Sequence, residues 1–97
     1  MIPITNSSIP AKVTVTTTAA TLKALIGVTI PAGVNAVEVY ADGGDIRYTM
    51  NEDLTPSATT GFVLANGQTR IFEGLDASQL KFYASTVVMQ IQLGKIA

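Results

Sequence analysis

Val37-Glu38-Val39-Tyr40-Ala41-Asp42-Gly43-Gly44-Asp45-Ile46-Arg47-Tyr48-Thr49-Met50 is the stretch that decides the fold. Before its acidic turn, Val37, Val39 and Ala41 share one parity and Glu38 and Tyr40 the other. After it, Ile46, Tyr48 and Met50 alternate with Arg47 and Thr49. Successive side chains of a strand point to opposite faces, so each half reads as a strand with one buried face. The Asp-Gly-Gly-Asp between them has the composition of a tight reversal, and the two strands are predicted to pair as a hairpin.

The same grammar extends in both directions. Val13 and Val15 alternate with Thr14 and Thr16, which predicts another half-buried strand. Alternation then breaks: Leu22, Leu25 and Ile26 fall at helical spacing, and a single helical turn closed by Gly27 is expected. Val28-Thr29-Ile30 reads as a short strand and Pro31-Ala32-Gly33 as a turn. Residues 51–61 form a polar loop, long for a hairpin, which points to a crossover or a binding loop. Residues 62–65 read as a strand, Asn66-Gly67 as the strongest two-residue turn signal in the chain, and residues 69–73 as the strand that returns. After a loop or single turn over 74–79, Leu80, Phe82 and Ala84 alternate with Lys81, Tyr83 and Ser85. The last strand puts Val87, Met89, Ile91 and Leu93 opposite Gln90 and Gln92. Phe62, Phe72 and Phe82 are assigned to the core. About seven or eight short antiparallel strands, with turn signals at roughly eight- to twelve-residue spacing, make an all-β protein: a single β-sandwich over residues 12–97, immunoglobulin-like or jelly-roll.

Residues 1–11 precede that domain as an extended arm. Pro3 and Pro10 fix φ and turn the residues before them away from helix. Ile2, Ile4 and Ile9 are too apolar for a free tail. They suit either an edge strand on the arm's own domain or an arm that binds a neighbouring subunit, with these isoleucines as the contact.

Composition limits the chemistry. The 97 residues include no His, Cys or Trp; 13% are charged and 47% hydrophobic. Histidine is the usual proton shuttle near neutral pH and cysteine the usual soft nucleophile and metal ligand. Triads that need a His base are excluded, and the glycines near Gly43 and Gly61 lack the spacing and Lys of a phosphate loop. Among the acids, Asp42 and Asp45 should lie at one end of a strand and Glu52 and Asp53 at the other, so no carboxylate set converges for Ca²⁺. A pair of acids acting on a glycoside would need a cleft that a sandwich of this size rarely shapes. The reading is therefore a non-enzyme with no cofactor. With a net charge of −1 and scattered Lys12, Lys23, Arg47, Arg70, Lys81 and Lys95, no basic field exists to hold nucleic acid. No apolar run approaches the ~20 residues of a membrane helix, and Met1-Ile2-Pro3-Ile4 has neither region of a signal peptide, so no membrane partner is expected. Yet the mean hydropathy is +0.38. High apolarity without a membrane span points to surface covered by another chain, in a homo-oligomer or an assembled particle. Tyr40 and Tyr83 fall on the outward parity of their strands and are the candidate surface-contact residues.

Two resemblances sit on these residues. Ile46-Arg47-Tyr48-Thr49-Met50, followed by Thr55-Pro56-Ser57-Ala58, resembles the strand and loop of small β-sandwich modules appended to chitobiase-type and other carbohydrate-active enzymes. Asn51-Glu52 stands where those modules carry Asp-Gly. That likeness implies a carbohydrate-binding module of a head fibre or tail appendage, with the 51–61 loop, Tyr40 and Tyr83 as its site. The second covers more of the chain: Ala20-Thr21-Leu22-Lys23-Ala24-Leu25-Ile26-Gly27, Ile30-Pro31-Ala32-Gly33-Val34, Asp45-Ile46-Arg47-Tyr48-Thr49, Leu64-Ala65-Asn66-Gly67-Gln68-Thr69 and Leu75-Asp76-Ala77-Ser78-Gln79-Leu80-Lys81-Phe82-Tyr83-Ala84. In this order they resemble small all-β virion proteins of tailed bacteriophages. That likeness implies a structural protein of the virion that decorates the outer capsid surface, with the major capsid protein or another virion protein as partner. It implies no catalytic residues.

Overall fold

The computed structural model describes residues 2–3, 12–27, 30, 34, 36–51, 53–73 and 79–95. Alternation builds its strands: β1 (Ile2–Pro3), β2 (Lys12–Val15), β3 (Ala20–Thr21), β4 (Ala36–Asp42), β5 (Ile46–Thr49), β6 (Phe62–Leu64), β7 (Thr69–Glu73), β8 (Lys81–Ala84) and β9 (Val87–Lys95). One short helix, α1 (Leu22–Ile26), interrupts them as its spacing predicts. Thr21 caps it, its hydroxyl accepting the Ala24 N–H at 3.2 Å, and Gly27 closes it. Leu22 and Ile26 turn the same face of α1 into the core.

The strands form two antiparallel sheets. One runs β2-β9-β4-β7, with β1 paired to the far end of the same β9 edge; the other runs β3-β8-β5-β6. The junctions β2–β3, β4–β5, β6–β7 and β8–β9 each carry the chain from one sheet to the other. Because β2 neighbours β9, β9 neighbours β4 and β4 neighbours β7, these crossings lie side by side as a row of arches at one end of the sandwich, over residues 16–19, 85–86, 43–45 and 65–68. The loop at 50–61 joins β5 to β6 at the other end. Two sheets interleaved in this way are a jelly roll, which decides between the two sandwich topologies that the sequence left open.

The predicted hairpin is therefore an arch. β4 pairs with β7 and β9, and β5 pairs with β6 and β8, so the two never share a ladder. In a sandwich every strand buries one face, and alternation looks the same whether two strands pair or face each other across the core. What holds the 43–45 arch is its neighbour: Gly43 N–H donates to Asn66 Oδ1 at 3.0 Å and Asn66 N–H to Asp45 Oδ1 at 2.8 Å. Asn66-Gly67 is likewise a turn between sheets. Gln68 N–H donates to Ala65 O at 2.9 Å, with Gly67 at φ 83° and Asn66 outside the positive-φ region. That is type II geometry, which splays the flanking strands instead of pairing them. Gly67 and Gln68 together face Ala41 as a bulge of the Gly-first kind, with Gly67 N–H on Ala41 O at 2.9 Å and Ala41 N–H on Gln68 O at 3.1 Å.

The core lies between the sheets. Val13, Val15, Val37, Val39, Ala41, Phe72, Met89 and Leu93 from one sheet meet Ile46, Tyr48, Leu64, Phe82 and Ala84 from the other, with Leu22 and Leu80 closing the loop end. Phe72 and Phe82 are buried as expected; Phe62 is not, being 59% exposed. β6 is the last strand of its sheet and Phe62 its outermost residue, so no strand covers it. Met50 leaves β5 and is 47% exposed. Residues 50–61 join β5 to β6, adjacent strands of one sheet, so the loop is not a crossover. Ile2 and Pro3 of the expected arm pair with Lys95 and Gly94 of the same chain; Ile4 and Ile9 lie outside the described residues. Of the strand expected over 28–30, Ile30 is no strand residue but packs against the core, and the rest lies outside the described residues, as do the turn over 31–33 and most of the loop over 74–79. Among the described residues no helix is long and apolar enough to cross a membrane.

Candidate functional site

The loop at 50–61 builds the most distinctive surface of the molecule, and short polar residues shape it from within. Thr49, at the end of β5, is buried; its hydroxyl donates to Leu54 O at 2.7 Å, with Asn51 O at 3.3 Å. Asn51 accepts the Asp53 N–H on its side chain at 3.0 Å and the Leu54 N–H on its carbonyl at 2.9 Å, a turn stabilised by an Asx bond. Pro56 is wholly buried and anchors the middle of the loop. A second turn follows, in which Ser57 Oγ accepts the N–H groups of Thr59 and Thr60 at 3.3 and 3.2 Å. The loop is then tied to the outer face of its sheet. Lys81 Nζ reaches Thr55 Oγ1 at 3.3 Å, and Arg47 Nη1 donates to Gly61 O at 3.2 Å.

This framework leaves Met50, Leu54 and Phe62 lining an open groove of about 670 Å³, with Leu54 57% exposed and Asn51, Asp53 and Thr60 at its polar margin. The apolar side chains stand in water although both backbone groups of Leu54 are hydrogen-bonded and Phe62 pairs with Tyr48. Such a surface is suited to burying an apolar group of a partner with little further ordering.

Behind the groove sits an aromatic cluster. Tyr48 lies 5.7 Å from Phe62 and meets Phe72 edge-on at 5.1 Å, ring centre to ring centre. Arg70 pairs with Val39 and so turns inward from β7. Its guanidinium donates to the Tyr48 hydroxyl and lies 5.7 Å from that ring's centre. This closes the open side of the core with a cation–π contact rather than another apolar side chain.

The residues singled out from sequence do not converge here. Tyr40 is half-buried on the outer face of the first sheet, in register with Gln90 and Thr69, over a shallow depression of about 160 Å³ shared with Glu38 and Gln92. Tyr83 is half-buried on the outer face of the other sheet, opposite Arg47. The two tyrosines therefore sit on opposite sides of the sandwich and serve no common ligand with the 51–61 loop. Asp42 accepts from Gln90 Nε2 at 3.2 Å and Asp45 caps Asn66, both at the arch end, while Asp53 stands at the loop end. Glu52 and Asp76 lie outside the described residues. The 51–61 loop was legible as a candidate binding loop, but its apolar neighbours were not, because Met50 continues the alternation of β5 and Phe62 reads as core; Leu54, an isolated leucine in that polar loop, was the available signal.

Compared with family models, with curated proteins and with solved structures, the chain finds no match.

Proposed function

We propose that this protein is a structural component of a bacteriophage virion that decorates the outer capsid surface, and that the groove of Met50, Leu54 and Phe62 is the face it presents to the capsid protein. One observation carries the reading: an internally hydrogen-bonded loop displays apolar side chains to solvent at one end of a small jelly roll. About half of each of those side chains is still exposed, so covering them is worth about 0.8–1.5 kcal/mol each before the costs of association. A single contact of that size is weak, and occupancy on a shell would draw strength from the repetition of subunits. The phage-like stretches of the sequence agree with this role. The carbohydrate-binding alternative has less support, because its two tyrosines occupy opposite faces.

The test is copy number on purified particles carrying the gene, by quantitative gel densitometry. The wild-type chain should be found at many copies per particle. The double variant Met50→Ser, Leu54→Ser, which alters only exposed side chains, should fold with an unchanged circular dichroism spectrum and be lost from the particles. Wild-type protein absent from washed particles, or the folded variant at full occupancy, overturns the proposal.

A further inference from the structure

β7 ends its sheet, and its outer edge is open along the described residues. The bonds of Ala41 to Gly67 and Gln68 fix the phase of the β4–β7 ladder. Val39 and Val37 repeat that phase, so Arg70 and Phe72 turn their backbone groups toward β4. Thr69, Ile71 and Glu73 then point their N–H and C=O groups away from the sheet, and among the described residues no strand lies beyond β7 to receive them. Their side chains share the outer face with Glu38, and Ile71 is 47% exposed in the middle of the row.

Edges of this kind are normally blunted by charged side chains, Lys above all, by an inward-pointing charge, by a Pro, by a bulge or by extreme shortness. Between Thr69 and Glu73 there is no Lys and no Pro, and the bulge lies before the strand. Arg70 is an inward-pointing charge of the kind that can protect an edge, but it is held within its own subunit by Tyr48, which leaves the outer row to Thr69, Ile71 and Glu73. The row is also self-complementary. Antiparallel pairing about a two-fold axis through Ile71 sets Ile71 against its own copy and Thr69 against Glu73 of the partner, twice over. Each facing pair is in phase to exchange both of its backbone bonds. The pairing covers the exposed isoleucines and gives each Glu73 carboxylate a threonine hydroxyl.

We infer that the protein forms a two-fold symmetric homodimer in which β7 pairs with β7 of the second copy, centred on Ile71, joining the two sheets into one. This goes beyond the particle-binding reading and does not depend on it.

Sedimentation equilibrium of the purified chain, with Ile71→Lys and single-cysteine variants, tests the inference. The wild-type protein should sediment as a dimer. Ile71→Lys places like charges opposite each other on the axis while leaving the β4–β7 bonds untouched, and should be a monomer with an unchanged circular dichroism spectrum, its thermal midpoint no longer rising with protein concentration as that of the wild type does. The chain has no cysteine of its own. Under mild oxidation Ile71→Cys should therefore link into a dimer, whereas Thr69→Cys, which faces position 73, should not. A wild-type monomer at every concentration, an Ile71→Lys protein of unchanged oligomeric mass, or equal cross-linking at 69 and 71 overturns it. Should Ile71→Lys fail to fold, the cysteine pair alone decides.

Discussion

Replacing Gly61 with Ala should be far more damaging than replacing Gly43 with Ala, although the two glycines share nearly the same backbone angle. Their φ values are 110° and 108°. Holding an L-residue at positive φ costs about 1–2 kcal/mol at either position. The surroundings differ. A Cβ at Gly43 meets nothing within 4 Å, whereas one at Gly61 would stand 2.9 Å from Tyr48 O and 3.4 Å from Pro56 Cβ. Tyr48 lies on β5, an interior strand held between β6 and β8, so its carbonyl has little room to yield. A forced contact of this kind resembles overpacking and adds about 1–3 kcal/mol. The stiffening of the unfolded chain, about 0.4–1 kcal/mol, is common to both variants and cancels. In a domain near 100 residues each kcal/mol moves the midpoint by about 4–8 °C, so the two midpoints should differ by roughly 5–20 °C. Thermal and urea unfolding followed by far-ultraviolet circular dichroism gives the comparison. Equal midpoints would mean that the loop is not seated on the β5 carbonyl and that the groove is not a fixed surface.

Three further substitutions probe the scaffold. Thr86, between β8 and β9, is a β-branched residue at φ 60° on an exposed arch; Thr86→Asn should raise stability by about 0.5–1.5 kcal/mol, and a lower urea midpoint would refute the strain. Asn66→Ala removes the acceptor for Gly43 N–H and should cost about 0.5–1.5 kcal/mol by the same assay, no cost meaning that the arches are not latched to each other. Phe82→Ala empties the centre of the core, where Phe82 is fully buried, at about 3–5 kcal/mol; a loss under about 1 kcal/mol would contradict its place between the sheets.

Strand positions and burial parity were legible because period two is a local property. Val37, Val39 and Ala41 bury as their alternation requires, as do Met89, Ile91 and Leu93. Partners were not legible, because parity is blind to whether the next strand lies beside a given strand or across the core. That is why Asp42-Gly43-Gly44-Asp45 looked like a hairpin and is an arch. The bonds that decide it run from Gly43 and Asp45 to Asn66, more than twenty residues away. The groove was hidden for a related reason. Phe62 carries the side chain of a core residue at the inward parity, and only its place at the end of an edge strand leaves it uncovered. Exposure at an edge is set by sheet order, which is a non-local quantity.

The two proposed surfaces differ in where the fold leaves them. Latched arches close one end of the sandwich; the groove occupies the opposite end, and the β7 edge runs along the side. They can therefore be disabled separately. Met50→Ser, Leu54→Ser should leave the dimer mass unchanged, since neither residue lies on β7. Ile71→Lys should not touch the groove, yet it should still lower particle occupancy, because a dimer engages two neighbouring capsid sites with an effective concentration that a monomer lacks. The loss should grow as the protein is diluted and shrink at saturating concentration. A loss independent of concentration would place Ile71 in direct contact with the capsid and remove β7 from the homodimer; no loss at any concentration would mean that the dimer, if it forms, binds the shell through one subunit alone.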